Sequence, residues 1–375
     1  MKNQTKKTTS HQHPIRVGIV GVGNWATYAH IPALKLLPEY EITAVATRHQ
    51  DTAEAYAREH GIPHAFGNFE ELVRHSEVDL VVVLTIAPQH EKIVRAAISA
   101  GKDVFCEWPL TPSTQQSLEL LRLAEESGVR HLMGLQRRLS PSFRYLRDLL
   151  VDGYVGTIRS IRMSVSEPDY YVLRSKAVAF TIPSENFTHV AATFGGHFMD
   201  ALFTAVGHPK EFSSLLINQF KQVTLVETGE TVETDAPNEL LLHGQLDEEI
   251  ALSIQIEGGK RNGYGLELSI TGTNGDLQVL NSAAFHNEED NRILGAQGSG
   301  QPMKDLPIPD RYNWLPPSNL PSSALEMANL YASHSKDIQD GGHQTPNFSD
   351  AVRLHRLLDR ISEASSSGQR PSWQP

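Results

Sequence analysis

Short apolar runs alternate with longer amphipathic stretches along the first third of the chain. Because a short apolar run suits a strand that is buried on both faces, these runs predict strands at residues 17–20, 42–46, 80–85, 103–106 and 131–135. The stretches between them place apolar residues at helical spacing and predict helices at 26–37, 51–59, 90–100 and 113–127. Strands that alternate with helices in this way predict an α/β domain with a doubly wound parallel sheet.

The pattern changes after a predicted helix at residues 142–151. Alternating apolar and polar positions then predict strands at 158–166, 211–220, 240–246, 250–257 and 265–271. Because their connections lack regular helical crossovers, we expect an α+β domain with a large, mostly antiparallel sheet that is open on one face. One helix, at 195–206, interrupts these strands. Residues 283–323 are rich in Gly, Pro, Asn and Ser and predict a long loop, followed by helices at 323–339 and 348–364.

The motif G-V-G-N-W-A at residues 21–26 follows directly on the first predicted strand. Gly21 permits a tight turn, Gly23 lets the backbone approach a pyrophosphate, and Ala26 allows the helix to pack closely on the strand. The phosphates would lie at a helix N-terminus, where backbone N–H groups bind anions. An ordinary βα turn containing glycines is the alternative. The residues expected to contact a dinucleotide here are Gly21, Gly23, Asn24 and Trp25.

The end of the second predicted strand indicates which dinucleotide is preferred. A carboxylate at this position usually binds the adenosine ribose, and its replacement near an arginine accommodates a 2′-phosphate. Thr47 and Arg48 stand there and favour NADP. NAD is the alternative, in which Arg48 is a solvated surface residue and Asp51 binds the ribose.

These patterns divide the chain into two folded domains between polar tails. We expect a disordered tail at residues 1–13, an NAD(P)-binding Rossmann domain at 14–136, an α+β substrate and dimerisation domain at 137–365, and a second tail at 366–375.

Composition restricts the classes of partner. A net charge of −11 argues against broad binding to nucleic acid or to an anionic membrane, and no apolar run is long enough to span a bilayer. Cys106 is the only cysteine, so no intrachain disulfide forms, which suits a reducing compartment. The polar N-terminus lacks the apolar core of a secretory signal. We therefore expect a cytoplasmic protein, with the nucleus as the alternative.

Two loops at the carboxyl ends of predicted strands carry recognisable motifs, T-I-A-P-Q-H at residues 85–90 and E-W-P at 107–109. They resemble the Thr-Pro…His loop and the Glu-Lys-Pro motif of the glucose–fructose oxidoreductase, inositol dehydrogenase and rhizopine-catabolism family. T-G-T-N-G at 271–275 resembles that family's glycine turn late in the second domain. The resemblance implies an NAD(P)-dependent oxidoreductase, a homodimer, whose substrate is a small polyol, sugar or secondary metabolite. The cofactor contacts it implies are Thr85, Pro88, His90, Glu107, Trp108, Pro109 and Gln136.

The chain departs from this family at two proton-handling positions. Trp108 replaces the lysine of Glu-Lys-Pro, and an indole has no basic nitrogen and donates only one hydrogen bond. Thr193 replaces the carboxylate of the family's Asp-x-Gly-x-His helix, whereas His197 is kept. We expect His197 to be the remaining acid–base group and Asp200, one helical turn later, to orient it. A buried histidine with a satisfied hydrogen bond is the alternative for His197. The resemblance also implies a cis Trp108–Pro109 bond.

The Glu-Trp pair and the segments at 134–141 and 149–156 resemble a fungal subgroup of the family, the regulatory proteins of galactose and lactose metabolism. These are transcriptional repressors that bind a nicotinamide dinucleotide, so the resemblance implies an alternative function as a catalytically weak or inactive regulator. Its partner would be an acidic amphipathic peptide in a groove. A possible basic patch for that peptide comprises Arg137, Arg138, Arg144 and Arg147, which otherwise form a solvated helix face or ion pairs.

Two further sets of residues have side chains suited to binding. Asp169, Tyr170 and Tyr171 follow a predicted strand of the second domain and are candidates to contact substrate hydroxyls. His60 and His64 have helical spacing, but Gly61 and Pro63 lie between them, so we expect no metal site there or elsewhere.

Overall fold

A computed structural model describes residues 13–168, 172–247, 249–263, 265–285 and 289–372. The expected substrate contacts at 169–171 and nearly all of the expected N-terminal tail lie outside the described residues. Among the described helices, none combines the length and the apolar character that a membrane span needs.

Six parallel strands form the sheet of the first domain. In chain order they are β1 (Ile15–Val20), β2 (Tyr40–Ala46), β3 (His64–Phe66), β4 (Leu80–Val83), β5 (Asp103–Glu107) and β6 (His131–Gly134). In space their order is β3-β2-β1-β4-β5-β6. The strand order therefore reverses between β1 and β4, where open sheets of this kind bind ligands at the carboxyl ends of the strands. The predicted doubly wound sheet is confirmed.

Helices connect these strands. A π-helical turn at Ala26–His30 leads into the first of them. In chain order the α-helices of this domain are α1 (Ile31–Leu36), α2 (Gln50–His60), α3 (Phe69–Arg74), α4 (Ala87–Ser99) and α5 (Thr114–Ser127). The sequence pattern did not predict β3 and α3. Both elements are short, and all three residues of β3 are only half-buried, so the chain shows no apolar run there.

The second domain contains a larger mixed sheet and a small three-stranded one. Its elements are α6 (Pro141–Val151), β7 (Ile158–Glu167), β8 (Leu173–Arg174), α7 (Val190–Val206), β9 (Glu211–Ile217), β10 (Gln222–Leu225), β11 (Thr231–Glu233), β12 (Glu239–Gln245), β13 (Ala251–Gly258), β14 (Gly265–Gly272), β15 (Gly275–Asn281), β16 (Arg292–Gln297), β17 (Lys304–Asp305), α8 (Ser322–Asp340) and α9 (Phe348–Ser367). The larger sheet has the order β17-β16-β15-β14-β7-β13-β12-β9, and the smaller has the order β11-β10-β8.

The larger sheet is antiparallel except where β7 pairs with β13. Apolar residues on one face, including Ile254 and Ile256 of β13, pack into the same core as Phe198 and Met199 of α7. The alternate residues of β13, such as Ser253 and Gln255, are half-exposed on the opposite face. The predicted sheet with one open face is therefore confirmed.

Several boundaries in this domain differ from the prediction. Helix α7 begins at Val190, before the predicted residue 195, because the His189 side chain caps it by accepting from the Ala192 N–H. The predicted loop at 283–323 contains β16, β17 and a 3-10 turn at Asp310–Tyr312, since β16 pairs with β15. Helix α9 runs into the predicted C-terminal tail and ends at Ser367.

The last two helices return to the first domain. Tyr331 of α8 is fully buried and its hydroxyl lies 2.8 Å from Nδ1 of His30. At the start of α9, the Phe348 N–H donates to Nδ1 of His131 in β6 over 3.1 Å. Both helices therefore pack against the first domain, and α7 of the second domain packs on α9.

Candidate dinucleotide and substrate site

The glycine turn after β1 is open to a ligand. Gly21 has φ +95°, and a Cβ there would lie 3.1 Å from the Leu84 backbone, so only glycine fits without strain. Gly23 is exposed, and apart from its chain neighbours no heavy atom of the described residues lies within 4 Å of the position its Cβ would take. Asn24 is exposed as well, and the first helical turn begins where the Thr27 N–H donates to the Gly23 carbonyl. A pyrophosphate can therefore reach this helix start directly.

Two polar atoms on neighbouring loops are buried and lack a partner within the described part of the chain. Thr85 Oγ1 follows β4, and its methyl group would lie 3.2 Å from a Cβ at Gly21. Gln136 Oε1 lies in a 3-10 turn after β6. Pro88 stands in the first turn of α4, whose N-terminus has no side-chain cap. Thr85 and Gln136 therefore offer two unpartnered polar atoms that a ligand at this edge could engage.

His90 lies between two loops at this edge of the sheet. It is buried, with Nδ1 at 3.0 Å from the Pro109 carbonyl oxygen and Nε2 at 2.7 Å from that of Thr85. Burial lowers the pKa of His90, although the two carbonyl groups oppose the shift. The imidazole thus lies between the 85–90 loop and the 107–109 loop, and in its neutral form it donates to one of these two carbonyls at a time.

Glu107 is the acceptor for two side chains of the helix that follows the glycine turn. Its Oε1 accepts from Trp25 Nε1 over 3.0 Å and lies 2.8 Å from His30 Nε2. Gly134 makes room for this carboxylate, because a Cβ there would lie 2.5 Å from Oε2. The sequence reasoning missed His30, whose only signal was a polar residue on the apolar face of the first helix. The hydrogen bond between Trp25 and Glu107 therefore fixes both side chains beside the place where the cofactor is expected to bind.

Trp108 points into the second domain. Its Nε1 donates to the Ala192 carbonyl of α7 over 2.8 Å, and a Cβ at Gly196 would lie 2.4 Å from the same nitrogen. The ring is buried and its centroid lies 4.8 Å from that of His355 in α9. The Trp108–Pro109 bond is cis. The indole consequently fills the junction between the domains, and its one donor is already used.

His197 lies on α7 and is buried. Its Nδ1 has no partner in the described chain, and neither has the buried Oγ1 of Thr193, one turn earlier. Burial lowers the pKa of His197 to about 4, with Glu107 opposing the shift and Arg137 adding to it. The imidazole is therefore neutral near pH 7, and its buried Nδ1 has no hydrogen-bond partner among the described residues.

Asp200 does not orient His197, so that expectation is wrong. Its carboxylate accepts a bidentate pair of hydrogen bonds from Arg138, one of them 2.7 Å long from Nε, and no hydrogen bond joins it to the imidazole. Arg138 also pairs with Asp350 of α9 at 3.3 Å. Asp200 therefore belongs to a buried ionic cluster that ties α7 to α9.

The possible basic patch does not exist as a surface, and the alternative of ion pairs holds for Arg138. Arg137 and Arg144 are only 2% and 3% exposed, and each donates to a backbone carbonyl, of Ala284 and Tyr312 respectively. Arg138 lies in the ionic cluster, and only Arg147 is substantially exposed. The guanidinium groups of Arg137, Arg138 and Arg144 are buried at the junction between the domains, where an acidic peptide cannot reach them.

The end of β2 is accessible. Arg48 is exposed immediately after the strand, and Thr47 Oγ1 donates to the His49 carbonyl over 2.7 Å. Asp51 is exposed in the first turn of α2, where its carboxylate accepts from the Thr52 N–H. Arg48 and Asp51 are thus both free to approach an adenosine ribose bound along this edge.

Comparisons with known proteins agree with this architecture. Residues 15–135 match the model for the oxidoreductase family with an NAD-binding Rossmann fold, and residues 141–281 match that for the Gal80p C-terminal domain. The chain is 27% identical to dehydrogenase aclE of Aspergillus oryzae, over 96% of this chain and 98% of the relative. It is also 27% identical to the galactose/lactose metabolism regulatory protein GAL80 of Saccharomyces cerevisiae, over 96% of this chain and 85% of that one.

The fold is shared with solved structures at lower identity. A levoglucosan dehydrogenase in complex with NADH and L-sorbose superimposes with a TM-score of 0.84 at 17% identity, over 96% of this chain and 99% of that one.

Proposed function

The chain belongs to the Gfo/Idh/MocA oxidoreductase family and joins its NAD-binding domain to a Gal80p-like C-terminal domain, and on this premise we propose an NADP-dependent oxidoreductase. Its substrate would be a small polyol, sugar or secondary metabolite. The observation that carries the proposal is the open turn at Gly21 and Gly23, with the unpartnered Thr85 hydroxyl beside it. The dehydrogenase aclE, matched over nearly its full length, supports it.

The residues at the carboxyl edge fit a nicotinamide dinucleotide. The helix start at Gly23 would bind the pyrophosphate, and Arg48 would approach a ribose 2′-phosphate. Thr85 and Gln136 offer hydrogen-bonding atoms further along the same edge. When bound, the nicotinamide supplies the hydride chemistry.

We assign the proton to His197. Oxidation of an alcohol moves a hydride from carbon to the nicotinamide and a proton from oxygen to a base, which leaves a carbonyl product. His197 offers a free nitrogen in its neutral form for that proton. The Thr193 hydroxyl, unpartnered on the same helix, would position the substrate oxygen. Trp108 takes no part in the proton transfer because its N–H is bonded to the α7 backbone.

The pH dependence of turnover tests this role. A base with a pKa of about 4 stays deprotonated at higher pH, so kcat/KM should be flat between pH 6 and 8 and fall as the pH approaches 4. His197→Gln should lower kcat by about 10²–10⁴-fold and leave dinucleotide affinity unchanged. NADP⁺ reduction at 340 nm, screened over polyols, sugars and secondary alcohols, supplies both measurements. Unchanged kcat in His197→Gln would exclude His197 as the base.

The coenzyme preference is a separate prediction. Arg48→Ala should weaken NADPH binding by about tenfold or more, because it removes a charge-assisted hydrogen bond, and should leave NADH binding nearly unchanged. Arg58→Ala, on the exposed face of α2, is the matched control and should change neither affinity. Equal NADPH and NADH affinity in the unaltered protein would contradict the preference assigned to Thr47 and Arg48.

A dinucleotide-binding regulator is the second candidate, favoured by the position of Trp108. The indole anchors the two domains where an oxidoreductase of this family would need its basic lysine, and GAL80 is matched over most of its length. Tight NADPH binding without turnover on any alcohol would favour this function over the enzyme. For either function we propose a homodimer formed through the polar open face of the larger sheet, which analytical ultracentrifugation tests.

A further inference from the structure

Three side chains that commonly bind metals meet at the amino edge of the parallel sheet. His64 is the first residue of β3, and His75 and Glu77 lie in the loop between α3 and β4. Their ligand atoms all lie within 4.8 Å of one another. His64 Nε2 is 2.5 Å from Glu77 Oε2, and the two imidazole centroids are 4.3 Å apart. We call this group the His64 cluster.

The backbone that carries the His64 cluster is fixed. The Glu77 carbonyl accepts from Thr43 Oγ1 over 2.6 Å, and Lys102 Nζ donates to the carbonyls of His75 and Val78 over 3.1 and 2.6 Å. His64 is paired with Ala44 in the register of β2 and β3. The three ligands therefore converge from anchored positions, and only their side chains need to rotate to coordinate an ion.

We propose that the His64 cluster binds one zinc ion. Two imidazoles and one carboxylate form a common zinc ligand set, and a water molecule would complete a tetrahedron. The ion would take the place of the proton that now lies between His64 and Glu77. The Glu77 N–H donates to His75 Nδ1 over a long 3.3 Å. Zinc coordination would remove this hydrogen bond, because Nδ1 then either holds the ion or carries the ring proton. This assignment revises our expectation from the sequence that no metal is bound.

Charge and access suit a cation. His64 and Glu77 have side-chain exposures of 33% and 53%, so an ion can enter from solvent. Of the nearby cations, Arg16 is paired with Asp79 at 2.7 Å, and the Lys102 ammonium is bonded to carbonyl groups. With neutral histidines the His64 cluster carries one negative charge, that of Glu77.

The position of the His64 cluster separates its effect from dinucleotide binding. The glycine turn lies at the carboxyl edge of the sheet, whereas the His64 cluster lies where β3 and β4 begin, at the amino edge. A bound ion would link edge strand β3 to the α3–β4 loop. It should therefore stabilise the first domain without changing NADPH affinity.

Calorimetric titration with zinc, after removal of metal by a chelator, tests the proposal. The full chain carries His11→Ala and His13→Ala so that the N-terminal histidines cannot bind the ion. We expect one equivalent of Zn²⁺ to bind at pH 7.5, and the thermal midpoint to rise by about 3 °C at a hundredfold excess of free zinc over Kd. Cobalt in place of zinc should give the visible absorption of a tetrahedral site.

Substitutions within the His64 cluster decide whether it is the site. On the same background, His64→Gln and Glu77→Gln should each weaken zinc binding by about tenfold or more, whereas His49→Gln, an exposed histidine at the start of α2, should not change it. Circular dichroism of the metal-free variants confirms that they are folded. Absence of zinc binding, or affinity unchanged by both substitutions, would overturn the proposal.

Discussion

Replacing Arg138 with leucine is expected to lower the free energy of unfolding by about 3–5 kcal/mol. Arg138 bridges Asp200 of α7 and Asp350 of α9, and all three side chains are at most 14% exposed. Although burial opposes it, pairing with these carboxylates raises the pKa of Arg138. Removing the guanidinium leaves two carboxylates in a poorly solvated junction, and Asp200 loses both of its hydrogen bonds to Arg138. Urea unfolding followed by circular dichroism measures the loss.

Two controls isolate the buried charge. Arg147→Leu removes a half-exposed arginine from α6 and should change stability by no more than about 0.5 kcal/mol. The double variant Arg138→Leu/Asp200→Leu should recover part of the lost free energy of unfolding. It removes one unpaired carboxylate, and Asp350 still forms an ion pair with Arg353 at 3.2 Å. An Arg138→Leu protein as stable as Arg147→Leu would show that the cluster contributes nothing to the junction.

Gly23→Asp is expected to weaken dinucleotide binding by about a hundredfold or more, because a carboxylate beside the pyrophosphate repels it. The backbone at Gly23 does not have the positive φ of Gly21, and beyond its chain neighbours no atom in the described part of the chain lies within 4 Å of its Cβ position. The substitution should therefore leave the thermal midpoint of the unliganded protein unchanged. Calorimetric titration with NADPH measures the affinity.

Gly23→Ala is the matched control for this experiment. It adds a Cβ in the same open space without charge, so it should bind NADPH far more tightly than Gly23→Asp does. A Gly23→Asp protein that binds like the Gly23→Ala protein would mean that the phosphates lie elsewhere.

Local sequence signals predicted the first domain well. The glycine turn and the apolar runs arise from neighbouring residues, and they predicted the position of β1, its turn and the doubly wound sheet. The short elements β3 and α3 were missed, because neither contains an apolar run long enough to show a period. The His64 cluster depends on both elements, so the sequence could not reveal it either.

The candidate site was harder to predict, because its contacts join distant parts of the chain. The Arg138–Asp200 pair spans 62 positions, and helical spacing alone suggested His197 as the partner of Asp200 instead. The His30–Tyr331 contact spans 301 positions. Sequence spacing likewise does not show burial, which is why the arginines at the domain junction suggested a surface patch.

Trp108 shows both the value and the limit of the family resemblance. The aligned motif identified the position where a lysine is replaced, and the expected cis bond is present. The direction of the indole, into α7 at Gly196, follows from the packing of the second domain. The substitution therefore exchanges a basic group for a contact between the domains.

Calorimetric titration of the unaltered protein with NADPH and NADH tests the central claim most directly. A nicotinamide dinucleotide site at the Gly21–Gly23 turn predicts saturable binding at one dinucleotide per chain, with NADPH binding more tightly than NADH. The absence of binding heat with both, at dinucleotide concentrations up to about 1 mM, would contradict both proposed functions.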